Sequence, residues 1–364
     1  MTKNKILIAT GGTGGHIFPA YSLAESLIKK DYSVKLTIDK RGLNYLRKIQ
    51  HLNIIEIPSS PLIKKDILSF VFSISIIFFS IIRSVIFLLF NRPSLIFGMG
   101  GYSSFPICIA AYILGIRFII YENNLIIGKA NKFLLPYAKR IFVSYKNLEG
   151  IPAKHLCKVH EIGNIIRDDI LNMDIKKNKI NALDKIKVLI LGGSQAAEIF
   201  ANTLPPIFER IKNFGIPIKV YQQCQKKQNE LLSDFYKKKE IDHEIFNFTD
   251  NITHYYYNAN LVITRSGASV LGELINVKIP FISIPLPSSA DNHQLKNAEF
   301  YKKKDYGFLL EEKDIKHKLY DLIISIFKDN NRIERILSNQ RQYSDKDIFK
   351  NLDDQIKKVL NEKN

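Results

Sequence analysis

Cysteine is scarce and unpatterned: Cys108, Cys157 and Cys224 are the only three in 364 residues, with no CxxC or CxxxC spacing. An odd, scattered set excludes a disulfide framework and a thiolate metal site, and reads as thiols in a reducing compartment. Acidic residues are also short, 35 against 53 lysines and arginines, which leaves a formal charge of +18. That excess suits nucleic acid, an anionic membrane surface or a phosphorylated substrate, although an Ile-, Lys- and Asn-rich composition accounts for it equally well. Nucleic acid is not expected, because the lysines are diffuse and no RNA-reading aromatic signature occurs. The apolar run before the first glycines is about four residues, too short for a signal-peptide core, so export is not expected. His51, His155, His160, His243, His254 and His293 show no ligand spacing. The one DxD, Asp345-Lys346-Asp347, is expected on the solvated face of a charged C-terminal helix. Neither a metal nor a cofactor is expected.

What is present is apolar sequence, 46% of the chain, enough for two domains with a core each. Short apolar runs alternate with helix-length segments, the pattern of a parallel sheet covered by helices. The first half offers strands at Lys5–Ala9, Ser33–Ile38, Ile54–Pro58, Ser94–Phe97, Arg117–Tyr121 and Arg140–Val143. The second half starts over at Ile186–Leu191 and continues at Ile216–Tyr221, His243–Phe246, Leu261–Thr264, Phe281–Ile284 and Gly307–Leu310. The expected fold class is α/β, with two doubly wound Rossmann-like domains facing across a cleft where ligands bind. The expected boundaries are 1–163, a linker at 164–184, 185–344, and a C-terminal helix at 345–364 returning toward the first domain.

Ile67–Phe90 carries a single charge, Arg83, and is long enough to cross a bilayer. Five serines interrupt it, and it falls inside the strand–helix alternation, so spanning is not expected. Lys64, Lys65, Arg83 and Arg92 frame it with positive charge. Two readings stay open: an interfacial helix on anionic lipid, or a helix buried between sheet and neighbours.

The run Gly11-Gly12-Thr13-Gly14-Gly15-His16 stands between a strand and the start of a helix. Its spacing is neither a Walker A loop nor GxGxxG, which disfavours ATP and nicotinamide. Four glycines let the backbone approach a ligand, and the N–H groups of the helix's first turn point at it, so an anion is expected. His16 is the one titratable side chain of the loop. A second glycine loop, Gly98-Met99-Gly100-Gly101-Tyr102-Ser103-Ser104, follows another strand of the same half, and two such loops suit two phosphates. In the second half, Gly192-Gly193-Ser194-Gln195 and Arg265-Ser266-Gly267-Ala268-Ser269 follow strands in the same way. Ser194 and Ser269 either cap their helices or donate to a phosphate. Glu273 can accept from a vicinal diol, or be a solvated helix residue.

These motifs, together with Glu122-Asn123-Asn124, Gly163-Asn164 with Arg167, and Asp291-Asn292-His293-Gln294, stand in an order that resembles the MurG family. Its members are UDP-N-acetylglucosamine transferases of peptidoglycan synthesis, and the resemblance runs from end to end. It implies a GT-B fold and an inverting, metal-independent transfer of N-acetylglucosamine from UDP to the 4-hydroxyl of the muramyl sugar of lipid I, giving lipid II. It also implies a peripheral place on the cytoplasmic face of the inner membrane, with anionic lipids as partners. By resemblance, UDP-N-acetylglucosamine is held by Thr13, Gly14, Gly15, Asn124, Arg167, Ser194, Thr249, Ala268, Ser269, Val270, Leu271, Gly272, Glu273 and Gln294. The acceptor diphosphate maps to Gly14, Gly15, Gly100, Gly101 and Tyr102. His16 is the expected base, with Glu122 second, while Arg167 or Arg265 would balance the departing diphosphate. Asn123, Ile165, Ala196, Thr249, Ser269 and His293 depart from the family's usual residues. A UDP-N-acetylglucosamine 2-epimerase and a non-catalytic nucleotide- or lipid-binding protein are the alternatives.

Overall fold

The computed structural model describes residues 4–46, 51–59, 67–173, 185–193 and 197–362, with the side chains of 67–70 outside that description. The chain forms two compact units, Met1–Arg167 with Asp345–Asn364, and Asp168–Ser344.

In the first unit β1 (Lys5–Ala9), β2 (Ser33–Ile38), β3 (Asn53–Glu56), β4 (Leu95–Gly98), β5 (Phe118–Glu122), β6 (Arg140–Val143) and β7 (Val159–Glu161) form one sheet, ordered β3-β2-β1-β4-β5-β6-β7. Every pairing is parallel. The continuous apolar runs explain this, because Ile6, Leu7, Ile8 and Ala9 are all buried and both faces of the strand are therefore covered. The expected strands form, with small shifts: β3 ends at Glu56, before Pro58, which has no N–H to give a ladder. Strand β7 has a single apolar residue in three and carried no periodic signal.

The second unit repeats the plan with β8 (Ile186–Leu191), β9 (Ile218–Gln223), β10 (Asp242–Phe246), β11 (Leu261–Thr264), β12 (Phe281–Ser283) and β13 (Phe308–Leu309), ordered β10-β9-β8-β11-β12-β13. In each unit the strand order reverses once, beside β1 and β4 in the first and beside β8 and β11 in the second. At such a switch point the loops leaving the carboxyl ends diverge and open a crevice. All four glycine-rich turns lie at these two places.

The C-terminal segment belongs to the first unit. In the helix Ile348–Asn361, Asp353 accepts from the Tyr32 hydroxyl at 2.9 Å, and Arg117 donates to the carbonyls of Val359 and Leu360, capping the helix. Burial and the bond to Asp353 push the Tyr32 hydroxyl up to about 12. Two expectations are corrected here. Asp345 lies before this helix, not on its solvated face; it is 5% exposed and accepts from the Asn164 N–H at 3.0 Å and side-chain amide at 3.1 Å. Residues 164–184 are not linker throughout, since Ile165 and Ile166 are buried in the first unit and Asp168–Leu171 is a helical turn of the second. The expected linker residues 174–184 lie outside the described residues.

The helix Ile67–Phe90 has two unlike faces. Ser73, Ser80, Ser84 and Leu88 make a buried stripe against the helix Gly101–Ile113, and Ser80 and Ser84 satisfy their hydroxyls on carbonyls one turn back. On the other side Phe72, Phe78, Phe79, Leu89 and Phe90 are 58–84% exposed. The buried reading is thereby corrected: the fold uses a narrow stripe and leaves a continuous apolar face to solvent. Lys64 and Lys65 lie outside the described residues.

Candidate active site

The two glycine loops of the first unit meet around His16. Parallel pairing sets Ala9 beside Gly98, so both loops leave the sheet side by side. Gly11 needs to be glycine because a Cβ there would overlap the Ser103 side chain of the second loop. The imidazole of His16 lies over Gly100 and Gly101, whose φ angles are 83° and 73°. A Cβ on Gly100 would stand 3.4 Å from His16 Nδ1, and one on Gly101 would stand 3.7 Å from Nε2. Thr13 is the exposed N-cap of the helix Gly14–Lys29, whose first-turn N–H groups face the loop. Tyr102 lies half-buried in the first turn of the helix Gly101–Ile113.

A third segment closes the group. The Asn123 amide donates to the Gly15 carbonyl at 3.3 Å. Glu122 is 3% exposed, and its carboxylate takes four N–H donors: the backbone and side-chain N–H of Asn124, the Gly128 N–H and the Asn131 amide, at 2.9–3.1 Å. Each oxygen holds two of them, so neither is turned toward an incoming hydroxyl. Glu122 thus serves as a loop clasp, and Asn124 is part of that clasp. Arg167 stands over the Phe18 ring at 6.0 Å, beside the same first helix.

Asp39, which no motif singled out, holds the first loop from behind. Its carboxylate accepts from Gly12 N–H at 3.0 Å, Gly42 N–H at 2.9 Å, Ser59 Oγ at 3.2 Å and the Arg41 guanidinium. An acid directly after β2, the strand beside β1, was the available signal. Burial opposes the charge on Asp39, but the Gly12 and Gly42 N–H groups with Arg41 prevail and hold its carboxyl below the usual value. Its contribution is therefore complete above the unfolded value near ~4 and lost as pH falls through the lower native one. Asp39→Asn is expected to lower stability at pH 7 by about 1–3 kcal/mol, and the gap to wild type closes in melts run progressively below pH ~4.

In the second unit the helix Ala268–Asn276 starts at the carboxyl end of β11 with Gly267 as N-cap and no side-chain cap, so Ser269 does not cap it. Ala268, Ser269 and Val270 offer the first-turn N–H groups, while Ser266 Oγ is fully buried nearby without a hydrogen-bond partner among the described residues. The Leu271 N–H is spent on Gly267 O at 3.1 Å, and both Leu271 and Gly272 are buried. Glu273 is not a solvated residue, since the buried Tyr256 hydroxyl fixes one of its oxygens at 2.7 Å. Arg265 is corrected too; it is 7% exposed, ion-paired to Glu312, bonded to the carbonyls of Ile284 and Pro285, and stacked on Phe200. It braces the unit and is not directed at a ligand. Gly193 takes φ 76° in the turn after β8, where Gly192 N–H is held by Gln223. Ser194, with Gln195 and Ala196, lies outside the described residues. Thr249 Oγ1 accepts from Asn251 N–H, which leaves its own backbone as the available contact. Gln294 gives its oxygen to Leu286 N–H.

Two doubly wound units, each with glycine-rich turns at its switch point, define an α/β architecture of the nucleotide-binding type. The chain belongs to glycosyltransferase family 28: residues 6–143 match its N-terminal domain and residues 187–356 its C-terminal domain. It is 35% identical over 364 residues, 99% of each chain, to the UDP-N-acetylglucosamine–N-acetylmuramyl-(pentapeptide) pyrophosphoryl-undecaprenol N-acetylglucosamine transferase of Pelagibacter ubique. It is 36% identical over 337 residues, 91% of this chain and 92% of the other, to the protein of the same name from Rickettsia canadensis. The crystal structure of Acinetobacter baumannii MurG superposes with a TM-score of 0.75 at 22% identity, covering 98% of this chain and 99% of that one. The fold is shared with that structure.

Proposed function

We infer that this chain is an inverting N-acetylglucosaminyltransferase that moves the sugar from UDP-N-acetylglucosamine to the 4-hydroxyl of the muramyl sugar of lipid I, giving lipid II. The observation that carries the site assignment is the position of His16, whose ring lies at the junction of two N–H-rich turns. A diphosphate on Gly14, Gly15, Gly100, Gly101 and Tyr102 would set the attached sugar's hydroxyl beside that ring. His16 takes the proton as the hydroxyl oxygen attacks the anomeric carbon. The bond from that carbon to the diphosphate breaks on the opposite face, and UDP leaves with the electron pair. In the second unit, the N-terminus of the helix Ala268–Asn276 balances the charge gained by the diphosphate, and Glu273, already oriented by Tyr256, accepts from the ribose diol. Arg167, Thr249 and Gln294 are assigned to the donor on the family resemblance.

Incubation with radiolabelled UDP-N-acetylglucosamine and a short-chain lipid I analogue tests this. Label in a lipid-linked disaccharide is expected; a new free sugar would mean epimerase chemistry, and no product a binding protein.

The exposed face of Ile67–Phe90, with Arg83 and Arg92 exposed on and just after it, is proposed to lie on the inner leaflet, where a lipid-linked acceptor resides. Phe78→Asp with Phe79→Asp is expected to reduce binding to anionic vesicles at least about tenfold without lowering the melting temperature, because both rings sit in solvent. Unchanged flotation with such vesicles would exclude this face.

A further inference from the structure

The pair Asp39 and Arg41 is built asymmetrically. Arg41 Nε and Nη2 donate to the same oxygen of Asp39, at 3.1 and 2.9 Å. The acid's side chain is 4% exposed and the arginine's 57%. Asp39 is anchored from within by Gly12, Gly42 and Ser59, and Ser59 in turn bonds Ser103 of the second glycine loop at 3.0 Å. The buried acid therefore fixes where the guanidinium stands.

A guanidinium is a planar fork with five donors and more than one usable edge. The Nε–Nη2 edge is committed to Asp39, and Nη1 has no partner among the described residues. Nη2 stands 3.8 Å from the place a Cβ on Gly12 would occupy, so the fork borders the first glycine loop with its remaining edge toward solvent. An arginine whose whole task was to neutralise Asp39 would need neither this exposure nor this position.

We propose that Arg41 is a phosphate-binding residue of the first unit, donating from its free edge to a diphosphate seated on the loop Gly11–Gly15, with Asp39 as its positioning residue. This rests on the reading that a diphosphate-linked acceptor uses this loop. A lysine supplies a point charge but not a two-edged fork, so Arg41→Lys restores only part of the effect.

The test compares wild type, Arg41→Ala and Arg41→Lys with a short-chain lipid-linked muramyl diphosphate as acceptor. Separately, inorganic pyrophosphate is titrated calorimetrically while UDP saturates the nucleotide site. In Arg41→Ala the acceptor KM and the pyrophosphate Kd are expected to rise about tenfold, and about threefold in Arg41→Lys, while kcat and the KM for UDP-N-acetylglucosamine stay within roughly twofold. If wild type transfers sugar and both constants are unchanged in Arg41→Ala, the proposal is overturned and the reading of the enzyme stands. If wild type transfers nothing, that reading fails, and the pyrophosphate titration still decides Arg41. Equal losses of kcat and melting temperature in both variants would mean a collapsed loop and would also overturn it.

Discussion

His16→Ala lowers kcat by about 10²–10⁴-fold and leaves the KM for UDP-N-acetylglucosamine within roughly twofold, the expected signature of a lost general base. The split follows from where the ring sits. His16 belongs to the first unit, against Gly100 and Gly101, whereas Thr249, Ser269, Glu273 and Gln294, assigned to the nucleotide, belong to the second. Removing the imidazole leaves the bonds from the His16 and Ile17 backbone N–H groups to the Thr13 carbonyl available. Near-wild-type turnover measured by steady-state kinetics would reject the assignment. Gly100→Ala should reproduce part of the loss by another route, because a Cβ at φ 83° is strained and would stand 3.3 Å from Cε1 of the same ring.

Glu122→Gln is expected to lower stability by about 3 kcal/mol, a large effect for a one-atom change. The carboxylate accepts from four N–H groups, and an amide can accept on one oxygen only, while its NH₂ would face two donors. Those donors tie β5 to Asn124, Gly128 and Asn131, so the segment carrying Asn123 and its bond to Gly15 loosens as well. Denaturant unfolding measures the first effect. Transfer kinetics separate a clasp from a base: a clasp variant loses activity in step with loop order and keeps the wild-type pH profile, whereas a base variant would lose the acidic limb of that profile. A Glu122→Gln enzyme with wild-type stability would exclude the clasp.

The strands and glycine turns were legible because both are local. A fully covered parallel strand must be a continuous apolar run, and a turn that brings backbone close to a ligand must be glycine, so Lys5–Ala9 with Gly11–His16, and Ile186–Leu191 with Gly192–Gly193, announce themselves. Strand β7 did not, since Val159-His160-Glu161 has the composition of a loop and is a strand because β6 offers it a free edge. The long apolar helix was ambiguous for a related reason. Composition gives its apolarity, but only packing tells which serines face the helix Gly101–Ile113 and which phenylalanines face solvent.

Side-chain roles divided along the same line. The motifs place a histidine, a glutamate and two arginines near candidate anion-binding turns, yet Glu122 and Arg265 are consumed by internal bonds, Asp345 is buried under Asn164, and Asp39 carried no motif. Whether a charged group is spent inside the protein or presented at its surface depends on which loops the strand order brings together. By itself the sequence determined two parallel α/β units, four glycine-rich turns at their carboxyl edges and a histidine in the first of them. Tertiary structure alone decided that this histidine lies on the second glycine loop, because β1 and β4 are neighbours only through the crossover of a doubly wound sheet, and periodicity along the chain does not encode which strand pairs with which.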